Sequence, residues 1–166
     1  MRAAKTYAVV LLLAGLAVLC ILNPSRQDYR QLRAGLGLGT PEATALEYVS
    51  ARLCGDQRIA LACSTDDRAR RLSQPQSQPD DDPVWPGKDA PADRQQMREL
   101  LGREGHFDCR DGKLEEVRCT CWVMVDGQRE CLMGLTLVKQ QGLWLVSSAW
   151  LGDASDLSPI AAEGAK

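Results

Sequence analysis

The residues of this chain with chemistry to offer are its cysteines and its one histidine. Of seven cysteines, Cys20 falls inside an apolar run and reads as a small apolar side chain. Cys54, Cys63, Cys109, Cys119, Cys121 and Cys131 remain, an even set that predicts disulfides on the exported side of a membrane. Cys54 and Cys63 lie across a short turn between two helices. Six cysteines allow 15 pairings, which sequence alone does not assign; Cys131 can face Cys121 across a hairpin, and that choice would leave Cys109 for Cys119. The competing chemistry is a metal centre. His106, Cys109, Cys119 and Cys121 together supply one imidazole and three thiolates, a donor set suited to zinc or copper(I). Against it stand the absence of a CxxC pair and an oxidising compartment, which favours disulfides. Taken alone, His106 reads as a turn residue at the end of a helix. No cofactor is expected.

The elements that position these residues begin with the stretch from Leu114 to Leu151, which reads as three antiparallel strands. Val117, Cys119, Cys121, Val123 and Val125 alternate with Arg118, Thr120, Trp122 and Met124, the period of a strand. Asp126-Gly127 is a strong hairpin signal. A two-residue loop there sets Trp122 opposite Cys131. A type I turn with Gly127 in a bulge sets Cys121 opposite Cys131 instead and permits a cross-strand disulfide. The two registers differ by one residue, so they place Cys131 on opposite faces. Glu130 to Lys139 forms the second strand. Gln140-Gln141-Gly142 makes the next turn, and Leu143 to Leu151 is the third strand. A sheet this apolar needs a cover, and the upstream helices supply it, giving an α+β domain. Helix one starts at Thr40-Pro41-Glu42 and stops at Gly55. Asp56 caps helix two, Gln57 to about Ser64, and a third helix runs from about Ala92 to Arg103.

The expected organisation is a signal anchor at 1–23, a juxtamembrane linker at 24–39, an α+β domain at 40–152 and a flexible tail at 153–166. Residues 7–22 lack any charge, follow Arg2 and Lys5, and precede Asn23-Pro24. No small-residue cleavage site follows the run, and Leu19 precedes Cys20, so an uncleaved transmembrane anchor is preferred over a cleaved or lipoprotein signal. The domain is then expected on the periplasmic, extracytoplasmic side of an inner membrane, with the membrane itself a partner through residues 7–22. Gly35-x-Gly37-x-Gly39 has no strand before it and no Gly-Lys-Ser/Thr after it, so it reads as a spacer, not a phosphate loop. Residues 66–93 hold five of the eight prolines and no apolar periodicity, and read as a long insertion. Its one large apolar group, Trp85, docks on the domain or presents a tip to an envelope protein partner. The formal charge is −2. No basic stripe is present, which argues against a nucleic-acid partner.

The opening TPEATALEYVSARLCGDQRIALACS, with Pro41-Glu42 and Gly55-Asp56, and the closing strand at Gly142-Leu143-Trp144 resemble the nuclear transport factor 2-like, or ketosteroid isomerase-like, superfamily over about 40–65 and 114–151. The resemblance implies a cone: a curved sheet wrapped on two to three helices around a pocket. It departs from the family in its proline-rich segment and in showing no first short strand. Enzymes of that superfamily need a pocket carboxylate opposite a hydrogen-bond donor. The residues offered here are Tyr48 and either Asp108 or Asp111, while the strand positions carry no paired carboxylates. The reading is therefore a disulfide-stabilised domain that binds without catalysis. The alternative is a small-molecule or metal-binding cone protein, with isomerase- or dehydratase-like chemistry as its enzymatic form.

Overall fold

The computed structural model describes residues 26–73, 83–86, 90–112 and 115–152. The expected anchor at 7–22, residues 74–82 and 87–89 of the proline-rich stretch and the tail after Gly152 lie outside those residues. No helix among the described residues is long and apolar enough to cross a membrane.

Helices come first and the sheet second. The helices are α1 (Arg26–Arg33), α2 (Pro41–Leu53), α3 (Gln57–Ala62), α4 (Asp66–Leu72) and α5 (Arg94–Glu104). A four-stranded antiparallel meander follows, of β1 (Gly105–Asp111), β2 (Glu116–Val125), β3 (Gln128–Gln140) and β4 (Leu143–Leu151), in the order β1-β2-β3-β4. Helix α2 starts where the Thr40 hydroxyl accepts from Ala43 N–H at 3.2 Å, with Pro41 in the first turn. It ends in a left-handed Gly55 (φ +68°), with Asp56 N–H donating to Ala51 O and Gly55 N–H to Arg52 O. That pair of bonds is the Schellman arrangement. The Asp56 carboxylate then accepts from Ile59 N–H and caps α3.

Helix α2 lies against all four strands and against α3 and α5. Ala45, Tyr48 and Val49 of α2, with Met97 and Leu101 of α5, cover the inner sheet face. That face carries Val117, Cys119, Cys121 and Val123 of β2, Met133, Leu135 and Leu137 of β3, and Val146 of β4. Both hairpin turns have two left-handed central residues: Asp126 (φ +49°) with Gly127 (+80°), and Gln141 (+53°) with Gly142 (+81°). These are the turns whose twist matches that of paired strands. The first turn sets Trp122 opposite Cys131, so the two-residue loop is the one adopted. Left alone, that register would turn Gly134 and Thr136 to the core. A bulge between Cys121 and Trp122 gives β3 one extra residue, so Cys121 faces Met133 and the apolar set turns inward.

Four sequence expectations need correction. Residues 24–39 are not a spacer: 26–33 is helical, and Leu38 is buried in the core. Arg33 ties this helix down, donating from Nε to Ala62 O (2.9 Å) and from Nη2 to Ser64 O (2.6 Å). It thereby satisfies carbonyls at the end of α3. Residues 66–72 are a helix, capped by Thr65. The segment containing His106 is a strand, β1, which leaves α5 at Gly105; a Cβ there would overlap the Leu101 carbonyl. Of the three expected disulfides only Cys109–Cys119 forms, with its Cα atoms 4.0 Å apart on paired strands. Cys54, Cys63, Cys121 and Cys131 remain thiols. Cys121 points to the core, whereas Cys131 shares the outer face with Trp122, and its Sγ lies 3.7 Å from the Cys121 carbonyl. Cys54 Sγ lies 3.5 Å from Pro91 O, at the segment leading into α5, while Cys63 is fully buried.

The outer edge of β4 is covered. Trp144 N–H donates to Leu38 O, Val146 N–H to Cys63 O, and Thr65 N–H to Val146 O. Ser64 forms an isolated parallel bridge with Val146. The turns before α2 and α4 thus serve as a short fifth margin of the sheet.

Candidate functional site

The residues named from the sequence do not converge. His106 pairs with Trp122 on the outer face, while Cys109, Cys119 and Cys121 belong to the inner face. Two of those sulfurs are joined to each other. The alternation of a strand therefore separates the imidazole from the thiols, and the proposed metal ligands cannot meet. No group of three potential metal ligands occurs among the described residues.

The acid–base candidates are equally scattered. Tyr48 is buried in α2, and its hydroxyl accepts from Arg68 Nη2 (2.8 Å), Arg68 Nε (3.3 Å) and Arg52 Nη1 (3.0 Å). Asp108 lies on the outer face and accepts from Trp122 Nε1 at 3.1 Å. Asp111 is exposed at the end of β1. The space between helices and sheet, where a carboxylate and a donor would have to face each other, holds the fully buried side chains of Tyr48, Met97, Leu101, Met133 and Leu135.

Two arrangements appear that the sequence did not announce. The first is an aromatic stack on the outer face. The His106 ring lies 4.0 Å from the Trp122 ring at 14°, and the Arg129 guanidinium sits 4.3 Å from the same indole. With Asp108 on its N–H, Trp122 is held on several sides and is buried although it points outward.

The second is a polar cleft of about 320 Å³ between the turn after α1 and the start of α5. Gly35, Leu36 and Gly37 form one wall, Arg94, Gln95 and Arg98 the other, and Glu47 the floor. The Glu47 side chain is 6% exposed and binds two guanidinium groups. Its Oε2 accepts from Arg94 Nη1 at 2.8 Å and its Oε1 from Arg98 Nε. Arg94 Nε also reaches Asp56 Oδ2 at 3.4 Å. Helix geometry dictates this: Arg94 and Arg98 are four residues apart on one face of α5. Met97 and Leu101 set the neighbouring face against the core. Glu47 lies between Thr44 and Ala51 on the buried side of α2. The available signal was an acid inside the apolar stripe of one helix and an arginine pair at i, i+4 in another. Nearby, burial pushes the Cys63 thiol up, and the Glu47 charge adds to the effect.

Trp85 is half-buried and packs against the core, while its neighbour Val84 is exposed. Together these features define an α+β domain that carries a structural disulfide and a charged surface cleft. Comparisons with known protein families, curated proteins and solved structures gave no match.

Proposed function

We propose that this chain is a membrane-anchored domain held on the extracytoplasmic side of an inner membrane, acting there by binding and not by catalysis. The observation that carries the proposal is the Cys109–Cys119 bridge. Disulfides persist in oxidising compartments, and the uncharged run at 7–22 supplies a means of export and retention. The cone-like curvature and the nuclear transport factor 2-like kinship belong to the same reading. A filled interior supports binding over isomerase-like chemistry, since substrate would need the space those side chains occupy. The 66–93 stretch remains the proposed contact for an envelope protein, with exposed Val84 as its apolar tip.

The test is topology and thiol state together. Full-length chain in intact spheroplasts should be cleaved by added protease, and Cys109 and Cys119 should resist alkylation until reduced. Protection from protease with both thiols reactive would place the domain in the cytoplasm and overturn the proposal. The second reading, a small-molecule binder, is favoured by the Glu47–Arg94–Arg98 cleft.

A further inference from the structure

We infer that the cleft between the Gly35–Gly37 turn and α5 binds a small organic or inorganic anion, a carboxylate or a phosphate, with Arg98 as its main contact. The inference deepens the binding reading above and rests on it. The first argument is what the two arginines have left to give. Glu47 takes Nε of Arg98 and Nη1 of Arg94. No other described group accepts from the Arg98 guanidinium, whose side chain is 40% exposed. Its two Nη groups are thus oriented by a buried carboxylate and open to the cleft, the pre-set fork that favours two-point recognition of carboxylate or phosphate.

The second argument is charge. Glu47 is the one acid in the lining, and both its oxygens are engaged. Within the lining two arginines stand against one carboxylate; Arg94 is also paired with Asp56 outside it, at 3.4 Å, so Arg98 is the guanidinium left less compensated. The amino end of α5 adds to that positive charge, because Arg94 and Gln95 are its first two residues and both line the cleft. The Asp93 side chain caps Gln96 N–H, so the N–H groups of Arg94 and Gln95 are those without an intrahelical acceptor. The third argument is access. Gly35 and Gly37 face the arginines without side chains, and Gly37 is left-handed (φ +63°), so the turn leaves room for a ligand to approach backbone. Leu36 supplies an apolar contact for the remainder of an organic anion. An ion cluster that served only to clamp α5 to α2 would not need its outer arginine open to solvent beside a glycine wall.

The test uses full-length chain in detergent, titrated with inorganic phosphate and with succinate at constant ionic strength, and followed by amide NMR. Saturable shifts confined to Gly35–Gly37, Gln95 and Arg98 are expected with at least one probe, and whichever saturates identifies the anion class. Arg98→Ala should weaken that binding roughly tenfold, the effect of one charge-assisted hydrogen bond, with the far-sheet amides unmoved. Arg98→Lys should recover part of it. Non-saturating shifts spread over the surface would mean screening only and overturn the inference. So would equal saturation in wild type and Arg98→Ala. Neither result bears on protease accessibility or disulfide state, so the binding-domain reading would stand or fall separately.

Discussion

Glu47→Gln is the substitution from which the fold has most to lose for the smallest change in shape. It keeps volume and removes one charge. In its place an amide can accept at one oxygen only, so either Arg94 or Arg98 would face an NH2 group. Removing one partner of a fully buried pair costs about 3–5 kcal/mol. Here the carboxylate is buried at 6% exposure, but Arg94 and Arg98 are 26% and 40% exposed and water can take up part of the loss. We expect a loss of roughly 2–3 kcal/mol, in the range of one or two hydrogen bonds to a charged group. At roughly 3–5 °C per kcal/mol for a domain of this size, the melting temperature should fall by about 6–15 °C. Urea unfolding followed by tryptophan emission measures it, and the slope should stay that of wild type. Arg98→Ala should cost less, about 1 kcal/mol, since Arg94 still pairs Glu47 and the lost partner is the more exposed one. A Glu47→Gln loss below about 0.5 kcal/mol, the scale of an ordinary surface substitution, would refute the reasoning. An Arg98→Ala loss as large as that of Glu47→Gln would refute it too.

Other expectations can be checked with the same protein. Cys109→Ser with Cys119→Ser should destabilise by roughly 2.7 kcal/mol, the chain-entropy value for a closed loop of this length, read from urea midpoints. Gly134→Ala should cost about 1–3 kcal/mol and shift tryptophan emission, because its Cβ would overlap the Trp150 indole lying across the strand. In alkylation without reductant, Cys54 and Cys131 should react in the native protein. Cys63 and Cys121 should react only after unfolding, and Cys109 and Cys119 only after reduction. Burial raises the thiols of Cys63 and Cys121, so the folded chain holds those protons to higher pH than the unfolded chain, whose ordinary value is 9.0. Their contribution should be constant below pH 9.0 and lost as pH rises beyond it, with Cys63→Ala making the fall shallower.

The parts of the fold legible in the sequence are those decided by local chemistry. Thr40-Pro41-Glu42 starts a helix, Gly55-Asp56 ends one and caps the next, and Asp126-Gly127 and Gln141-Gly142 close hairpins because each needs particular backbone angles. Where several local signals competed, composition misled. The glycines at 35, 37 and 39 hid Tyr29 and Leu32 of α1 and Leu36 in the turn after it. The prolines after 74 hid the Thr65-Asp66-Asp67 cap of α4. Strand β1 has only Phe107 and Cys109 as apolar side chains on its inner face, between Gly105 and Asp111, too few for its period to show. The fate of Cys131 depended on which of two one-residue-apart hairpin registers the turn adopts, and Asp126-Gly127 is compatible with both. The cleft was hidden for another reason. Glu47 lies 47 residues from Arg94 and 51 from Arg98, a tertiary meeting that neither helix announces.

The two margins of the sheet are secured by different means. At β4, backbone groups of Leu38, Cys63 and Thr65 hem the strand. At β1, no described segment lies alongside. The Gly112 N–H bond to Glu116 O fixes the alternation, so His106, Asp108 and Arg110 bond toward β2, and the amides of Phe107 and Cys109 turn outward. That strand has one neighbour, and the Cys109–Cys119 bridge rivets it there. The sheet is therefore sewn at one border and riveted at the other. A reductant would loosen only the riveted border, and the first backbone groups released would be those of β1, a strand already able to accept a foreign one. The bridge thus guards the molecule against its own kind, as well as adding to its stability.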